Sequence, residues 1–165
     1  DFVYLAPTGN IEDGLPEANY AQGNAIYRGA EAKLDVGLTR DVWLITALDG
    51  VRAELSQGSV ALPRIPPVRG RVGIDARWNG FHVRPELVLS SKQDRVFETE
   101  VPTAGFGVLN FTGGYTRVGS HAMHQLSATV FNAGDRLYRN HLSFIKEFAP
   151  EIGRGVRFSY TVRFF

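Results

Sequence analysis

Residues 155–165 read GVRFSYTVRFF. Val156, Phe158, Tyr160, Val162 and Phe164 share one side of an extended chain, and Arg157, Ser159, Thr161 and Arg163 share the other, because strand side chains alternate with period 2. One face is apolar and aromatic and the other is wet. A flat aromatic strand left at a sheet edge invites pairing with other chains. A strand inside a membrane barrel has both edges paired and turns its apolar face to lipid. On this stretch two readings stay open: a strand of a membrane barrel, or the last strand of a soluble sandwich.

The composition leans the same way. The chain has 165 residues with 12% aromatics, 18 glycines and one methionine, a balance of strands and turns rather than helices. It has no cysteine, which excludes a disulfide framework and thiolate metal or redox sites. A net charge of +1 offers no bulk attraction to nucleic acid, so none is expected as a partner. No apolar run approaches the ~18 residues of a membrane helix, so any membrane crossing is by strands. The first residues, DFVYLA, start inside a strand pattern with neither Met nor signal peptide. That fits a mature product, an engineered chain or, best, the C-terminal piece of something longer.

Taken in order, residues 1–6 read as a strand end and residues 7–18 (PTGNIEDGLPEA) as a loop. Residues 20–38 read as one long strand, with Ala30, Ala32, Leu34 and Val36 opposing Gly29, Glu31, Lys33 and Asp35. A tight turn at 39–41 leads to a strand over 42–55, whose faces the pattern does not assign because Asp49 sits among Trp43, Ile45, Ala47 and Val51. After a loop at 56–67, Val68, Val72, Ile74, Ala76 and Trp78 oppose Arg69, Arg71, Asp75 and Arg77. Asn79-Gly80 is a two-residue hairpin signal. Phe81, Val83, Leu87 and Leu89 then oppose His82, Arg84, Glu86 and Ser90, with Pro85 marking a bulge or a break in pairing. A long connection at 91–104 is followed by strands over 105–118 and 121–134, joined at Gly119-Ser120. The longest connection, 135–154, precedes the final strand.

Two regularities emerge. The strands exceed the ~5–6 residues usual in globular sheets and reach the ~9–11 of a membrane strand. The connections alternate short and long, as the turns and loops of outer-membrane barrels do. Arg69, Arg71, Arg77, Glu86, Arg157 and Arg163 on the polar faces suit a hydrated lumen better than a packed core. The fold class expected is all-β, an antiparallel transmembrane β-barrel.

Residues 131–165, FNAGDRLYRNHLSFIKEFAPEIGRGVRFSYTVRFF, resemble the end of TonB-dependent outer-membrane receptors. The matching positions are Asn132 and Asp135 of an Asn-x-x-Asp segment, then Pro150, Gly153 and Arg154 leading into an aromatic-ended strand. The runs LPRIPPVRGRVGI (62–74) and Tyr27-Arg28-Gly29-Ala30-Glu31 look like earlier barrel strands of that family. The run Asn140-His141-Leu142-Ser143-Phe144 and the run Phe97-Glu98-Thr99 look most like its zinc-uptake branch. One departure is that Phe164 is in register with the outward aromatics and Phe165 lies one past it.

The resemblance implies that residues 1–165 are the C-terminal portion of a larger plugged barrel, about seven long strands plus a strand end, out of about 22 strands. The plug domain is absent from this stretch. Implied partners are the remainder of the barrel and its plug, the inner-membrane TonB complex, outer-membrane lipid and a small extracellular ligand. A partner polypeptide is expected beside Asp1 and beside the last strand. The setting is the outer membrane of a Gram-negative bacterium. The implied function is import of a scarce nutrient, a metal ion or metal chelate; zinc or a chelate would be cargo, and no cofactor is expected. The alternative is a stand-alone small β-barrel or sandwich that binds a ligand or protein partner.

No catalytic constellation is visible, so no enzyme is expected. Ser56, Ser59 and Ser143 sit in no nucleophile-elbow context, and Gly113-Gly114 opens no phosphate loop. His121 and His124 stand three apart, which in a strand puts them on opposite faces. His141 lies in the longest connection. Zinc takes several N or O ligands at ~2.0–2.2 Å, and Asp94, Glu98 and Glu100 in the neighbouring connection could complete such a site. The competing reading is that His141 packs or hydrogen-bonds to shape its loop.

Overall fold

The structure, a computed structural model, describes residues 2–98 and 100–165; Asp1 and Thr99, both named above, lie outside them. Nine strands form: β1 Phe2–Glu12, β2 Leu15–Gly23, β3 Ala25–Gly37, β4 Val42–Leu55, β5 Arg69–Trp78, β6 Phe81–Ser90, β7 Phe106–Val118, β8 Ala122–Phe131 and β9 Gly155–Phe164. Strands β3 to β9 make one seven-stranded antiparallel sheet in chain order, and β1 and β2 make a separate hairpin. Three long connections, 56–68, 91–105 and 132–154, leave the same end as that hairpin; short turns close the other end.

The first segment corrects the sequence reading. Residues 7–18 form no loop but the arms of the β1–β2 hairpin. The turn is Asp13-Gly14, both at positive φ (49° and 81°), the twist that a two-residue hairpin needs. The expected single strand over 20–38 is a continuous extended run that changes partner. Up to Gly23 it pairs with β1, and from Ala25 it pairs with β4. At the junction, Asn24 C=O accepts from Ser56 N–H at 2.8 Å.

Alternation sorts the sheet into two faces, and the ladder registers carry that sorting from strand to strand. Val42, Leu44 and Leu48 of β4 stand opposite Ala76, Ile74 and Gly70 of β5. Val72 and Trp78 stand opposite Leu87 and Phe81. Phe111 and Tyr115 meet Val130 and Leu126, which meet Val156 and Tyr160. This outer face leaves large apolar side chains uncovered, Phe158 at 75% exposure and Phe164 at 82% among them. Near the turn end it carries a line of aromatics, with Phe81 stacked 6.0 Å from Trp78 and tilted against Tyr115 at 4.5 Å.

The inner face is charged. Asp49, which the sequence pattern left unassigned, lies there and accepts two hydrogen bonds from Arg69 at 2.9 and 2.8 Å. Asp75 binds Arg77 and Arg84. Polarity reverses along β3 and β4 toward the loop end: there Arg28 and Arg52 pair on the outer face while Ala53 is fully buried on the inner one. Pro85 keeps its register with Phe111 of β7 but interrupts the ladder to β5, which skips Ile74-Asp75. A proline has no N–H to offer that side, so a break forms without a bulge.

Candidate functional site

Most of the buried residues do not lie between two sheets. Leu62, Phe97, Thr103, Asn132, His141 and Lys146 belong to the three long connections. Those segments fold over the inner face of the strands. Tyr138 of the third packs its ring 4.3 Å from Phe106, and Val108 beneath is buried.

The longest connection is tied at its base by the residues of the Asn-x-x-Asp and Gly-Arg pattern. Asn132 adopts φ 48° and is 2% exposed. Its Oδ1 accepts from Arg136 N–H at 2.8 Å, and its Nδ2 donates to Arg136 C=O at 2.9 Å and Ile152 C=O at 3.3 Å. Asp135 Oδ1 accepts from Arg154 N–H at 2.8 Å. Gly155 then lets the Phe131 ring lie across it, since a Cβ there would enter the ring. This pattern fixes where β8 ends, at Phe131 rather than at Gly134.

Above that base, the three connections meet at Glu100. Lys146 Nζ donates to Glu100 Oε1 at 2.6 Å and to His141 C=O at 3.0 Å. Arg64 N–H donates to Glu100 Oε2 at 3.0 Å, from a backbone held at φ 57°. Thr103 Oγ1 lies 3.0 Å from His141 Nδ1, and Lys146 Nζ 3.4 Å from the same nitrogen. An ammonium and a hydroxyl beside Nδ1 make that nitrogen the acceptor, which places the ring proton on Nε2. Nε2 sits 3.3 Å from Glu100 Oε1, is buried, and makes no hydrogen bond among the described residues.

Burial raises the Glu100 carboxyl, but the Lys146 ammonium and the Arg64 N–H outweigh it and hold its pKa below the ordinary value. Burial lowers His141; the nearby Lys146 adds to this and Glu100 opposes it. At neutral pH Glu100 is therefore a carboxylate and His141 a neutral imidazole.

Beside it opens a recess of about 490 Å³, within the ~300–1,000 Å³ of small-ligand pockets. Its walls include Tyr4, Tyr20, Phe97 and Phe144, and its polar end is Glu100 and Lys146 with Arg64. Phe97 packs edge-on against Tyr4 at 5.6 Å, and the Arg64 guanidinium sits 3.5 Å from the Phe144 ring centre. Further toward the turns, Lys33, Trp43, Arg71, Asp75, Arg84 and Glu86 line a second recess of about 570 Å³ on the inner face.

Of the four residues singled out as metal ligands, the structure brings His141 and Glu100 together. Asp94 is exposed and pairs with Lys92 at 2.5 Å, and Glu98 is exposed. Among the described residues no three His, Asp or Glu side chains converge on a metal position. His121 bonds Ser120 at 2.8 Å and His124 bonds Tyr160 at 2.7 Å, so they share no site. Sequence reasoning missed Lys146 and Thr103. Their partners lie 46 and 38 residues away, and no local pattern announces such a pairing.

Compared with solved structures, the chain matches the copper transporter OprC with a TM-score of 0.86 over 100% of its length, at 23% identity. It matches BauA, the ferric preacinetobactin receptor of Acinetobacter baumannii, with a TM-score of 0.66 over 99% of its length, at 17% identity. The fold is an antiparallel β-barrel wall. The chain spans 28% of OprC and 25% of BauA. No protein-family model and no curated protein matches it.

Proposed function

We propose that this chain is wall and extracellular loops of a TonB-dependent receptor that imports a scarce nutrient, a metal ion or metal chelate, across the outer membrane of a Gram-negative bacterium. One observation carries the reading. The sheet is apolar on one face and charged on the other, and all three long connections fold over the charged face at one end. That is how a lipid-facing wall around a hydrated lumen with an outer mouth is built. The resemblance at 131–165 and the names of the two solved proteins, a copper transporter and a ferric siderophore receptor, support the same class.

In this reading the partners are the rest of the barrel, a plug domain, the TonB complex, lipid and an extracellular small ligand. The metal is cargo. Zinc is the finer assignment, resting on the 140–144 and 97–99 sequence runs. Ligation by His141, Glu100, Asp94 and Glu98 would need Lys146 to release Glu100 and Asp94 to release Lys92. A stand-alone barrel has the strand order against it, since β3 and β9 are the edges of an open sheet.

The test compares cells with and without the gene, starved in turn of zinc, copper and iron, with cell-associated metal measured by mass spectrometry. Gene-dependent uptake of one metal or its chelate, abolished when the inner-membrane proton gradient is dissipated, is expected. Equal uptake in both strains for every metal and chelate overturns the import reading.

A further inference from the structure

The outer face is apolar almost without interruption between the reversal of polarity near Ala30 and the turns. Its hydroxyl, imidazole and charged positions are Thr46, Tyr115, Arg117, His124 and Tyr160, and Arg117 is the one charged residue among the described residues of that band. Apart from Thr46 on β4, they gather on β7, β8 and β9. Arg117 of β7 stands directly opposite His124 of β8 in the ladder. Side chains so paired have Cβ atoms ~4.5–5.5 Å apart. His124 Nδ1 lies 2.7 Å from Tyr160 Oη of β9, with the two rings stacked at 6.2 Å.

All three are uncovered. Arg117 has no ion pair or side-chain hydrogen bond among the described residues, and no carboxylate shares the band with it. The cluster sits one residue from the end of β7, at the level of the Trp78, Phe81 and Tyr115 aromatics. Aromatic belts mark the depth of lipid headgroups.

A lone guanidinium on a lipid-facing wall is costly unless an anion meets it. Whichever of His124 Nδ1 and Tyr160 Oη donates in their bond, the pair keeps one further donor, Nε2–H or Oη–H. A forked cation with such a donor beside it, at headgroup depth, is a receptor for a phosphate oxygen group.

We propose that Arg117, His124 and Tyr160 bind the phosphate of a glycerophospholipid from the leaflet on the turn side of the barrel. The proposal rests on the membrane-wall reading above. Headgroup recognition by Arg117 supplies the charge, and the apolar strip of Leu126, Phe158 and Tyr115 beside it supplies the wall for the acyl chain.

The experiment is native mass spectrometry of the full protein purified in detergent and mixed with equal amounts of phosphatidylglycerol and a phosphate-free galactolipid of matched chains. Wild type should retain phosphatidylglycerol over galactolipid. Arg117→Gln should lose roughly five-fold of that preference, the scale for one basic residue at a lipid surface. His124→Gln and Tyr160→Phe, milder changes, should each reduce it in part, which keeps the test open if Arg117→Gln folds poorly. Excess inorganic phosphate should leave the lipid bound; displacement by it would mean a free-anion site and overturn the lipid assignment. Equal retention of both lipids, or an undiminished preference in the variants, overturns the site while leaving the barrel in place. Protein that stays soluble and binds no detergent overturns the membrane reading itself.

Discussion

Glu100 is the residue on which the loop architecture turns. It receives Lys146 from the third connection and Arg64 N–H from the first, and it is itself part of the second. A buried pair broken on one side leaves an uncompensated charge, which costs about 3–5 kcal/mol. Lys146→Met should therefore undock the 132–154 connection, seen as new protease cuts within it while β8 and β9 stay protected. Unchanged cleavage would mean that the contact holds nothing.

Acid should act at the same place. His141 has a folded pKa below its ordinary 6.5, so the unfolded ring binds protons that the folded ring refuses, and loop stability falls as pH drops below 6.5. Glu100, held below 4.5, adds a second loss as pH falls further. Protection against proteolysis should decline in two steps on acidification. His141→Gln, which cannot titrate, should remove the upper step and leave the lower one.

At the scale of elements, what could be read from sequence was whatever is periodic and local. In β5, Ile74 and Trp78 were legible as one face and Arg71 and Asp75 as the other, because period 2 needs no partner to be seen. The β1–β2 hairpin was missed because Pro7, Gly9 and Pro16 imitate a loop. Yet Asp13-Gly14 carries the same turn chemistry as Asn79-Gly80, which was read correctly. The change of partner at Asn24 leaves no mark in the sequence, since the chain stays extended while its neighbour changes. For the same reason His141 and Glu100 were named, being chemically conspicuous, while Lys146 was not.

Face assignment has a direct energetic consequence. Ile74 lies mid-strand on the outer face, opposite Pro85's position and beside Leu44. Ile74→Arg should cost about 2–4 kcal/mol of folding stability in bilayers, the midplane value for a lipid-facing strand. Arg52→Leu, also outward but beyond the reversal of polarity, should change stability by less than about 0.5 kcal/mol. Denaturant titration of the protein folded into vesicles reads both. A small loss at Ile74 would place that face in water.

Over the whole molecule, if the chain is the membrane wall proposed above, the alternation of short turns and long connections assigns it a direction across the membrane. The hairpin β1–β2 and the three long connections lie at one end and the turns at the other. Long loops of outer-membrane barrels face outward and short turns face the periplasm. The chain has no cysteine, so an introduced thiol is its own reporter. Ser91 at the loop end and Ser120 at the turn end are both exposed. In intact cells a membrane-impermeant maleimide should label Ser91→Cys and leave Ser120→Cys unmodified, read on the peptide that carries each substitution. Permeabilising the outer membrane should then open Ser120→Cys to the reagent. Labelling of both in intact cells would place the sheet outside any membrane barrier. The reverse order would invert the wall, move the Glu100 cluster to the periplasm and remove its access to an external ligand. The orientation measurement therefore decides which end of the fold could meet the proposed cargo.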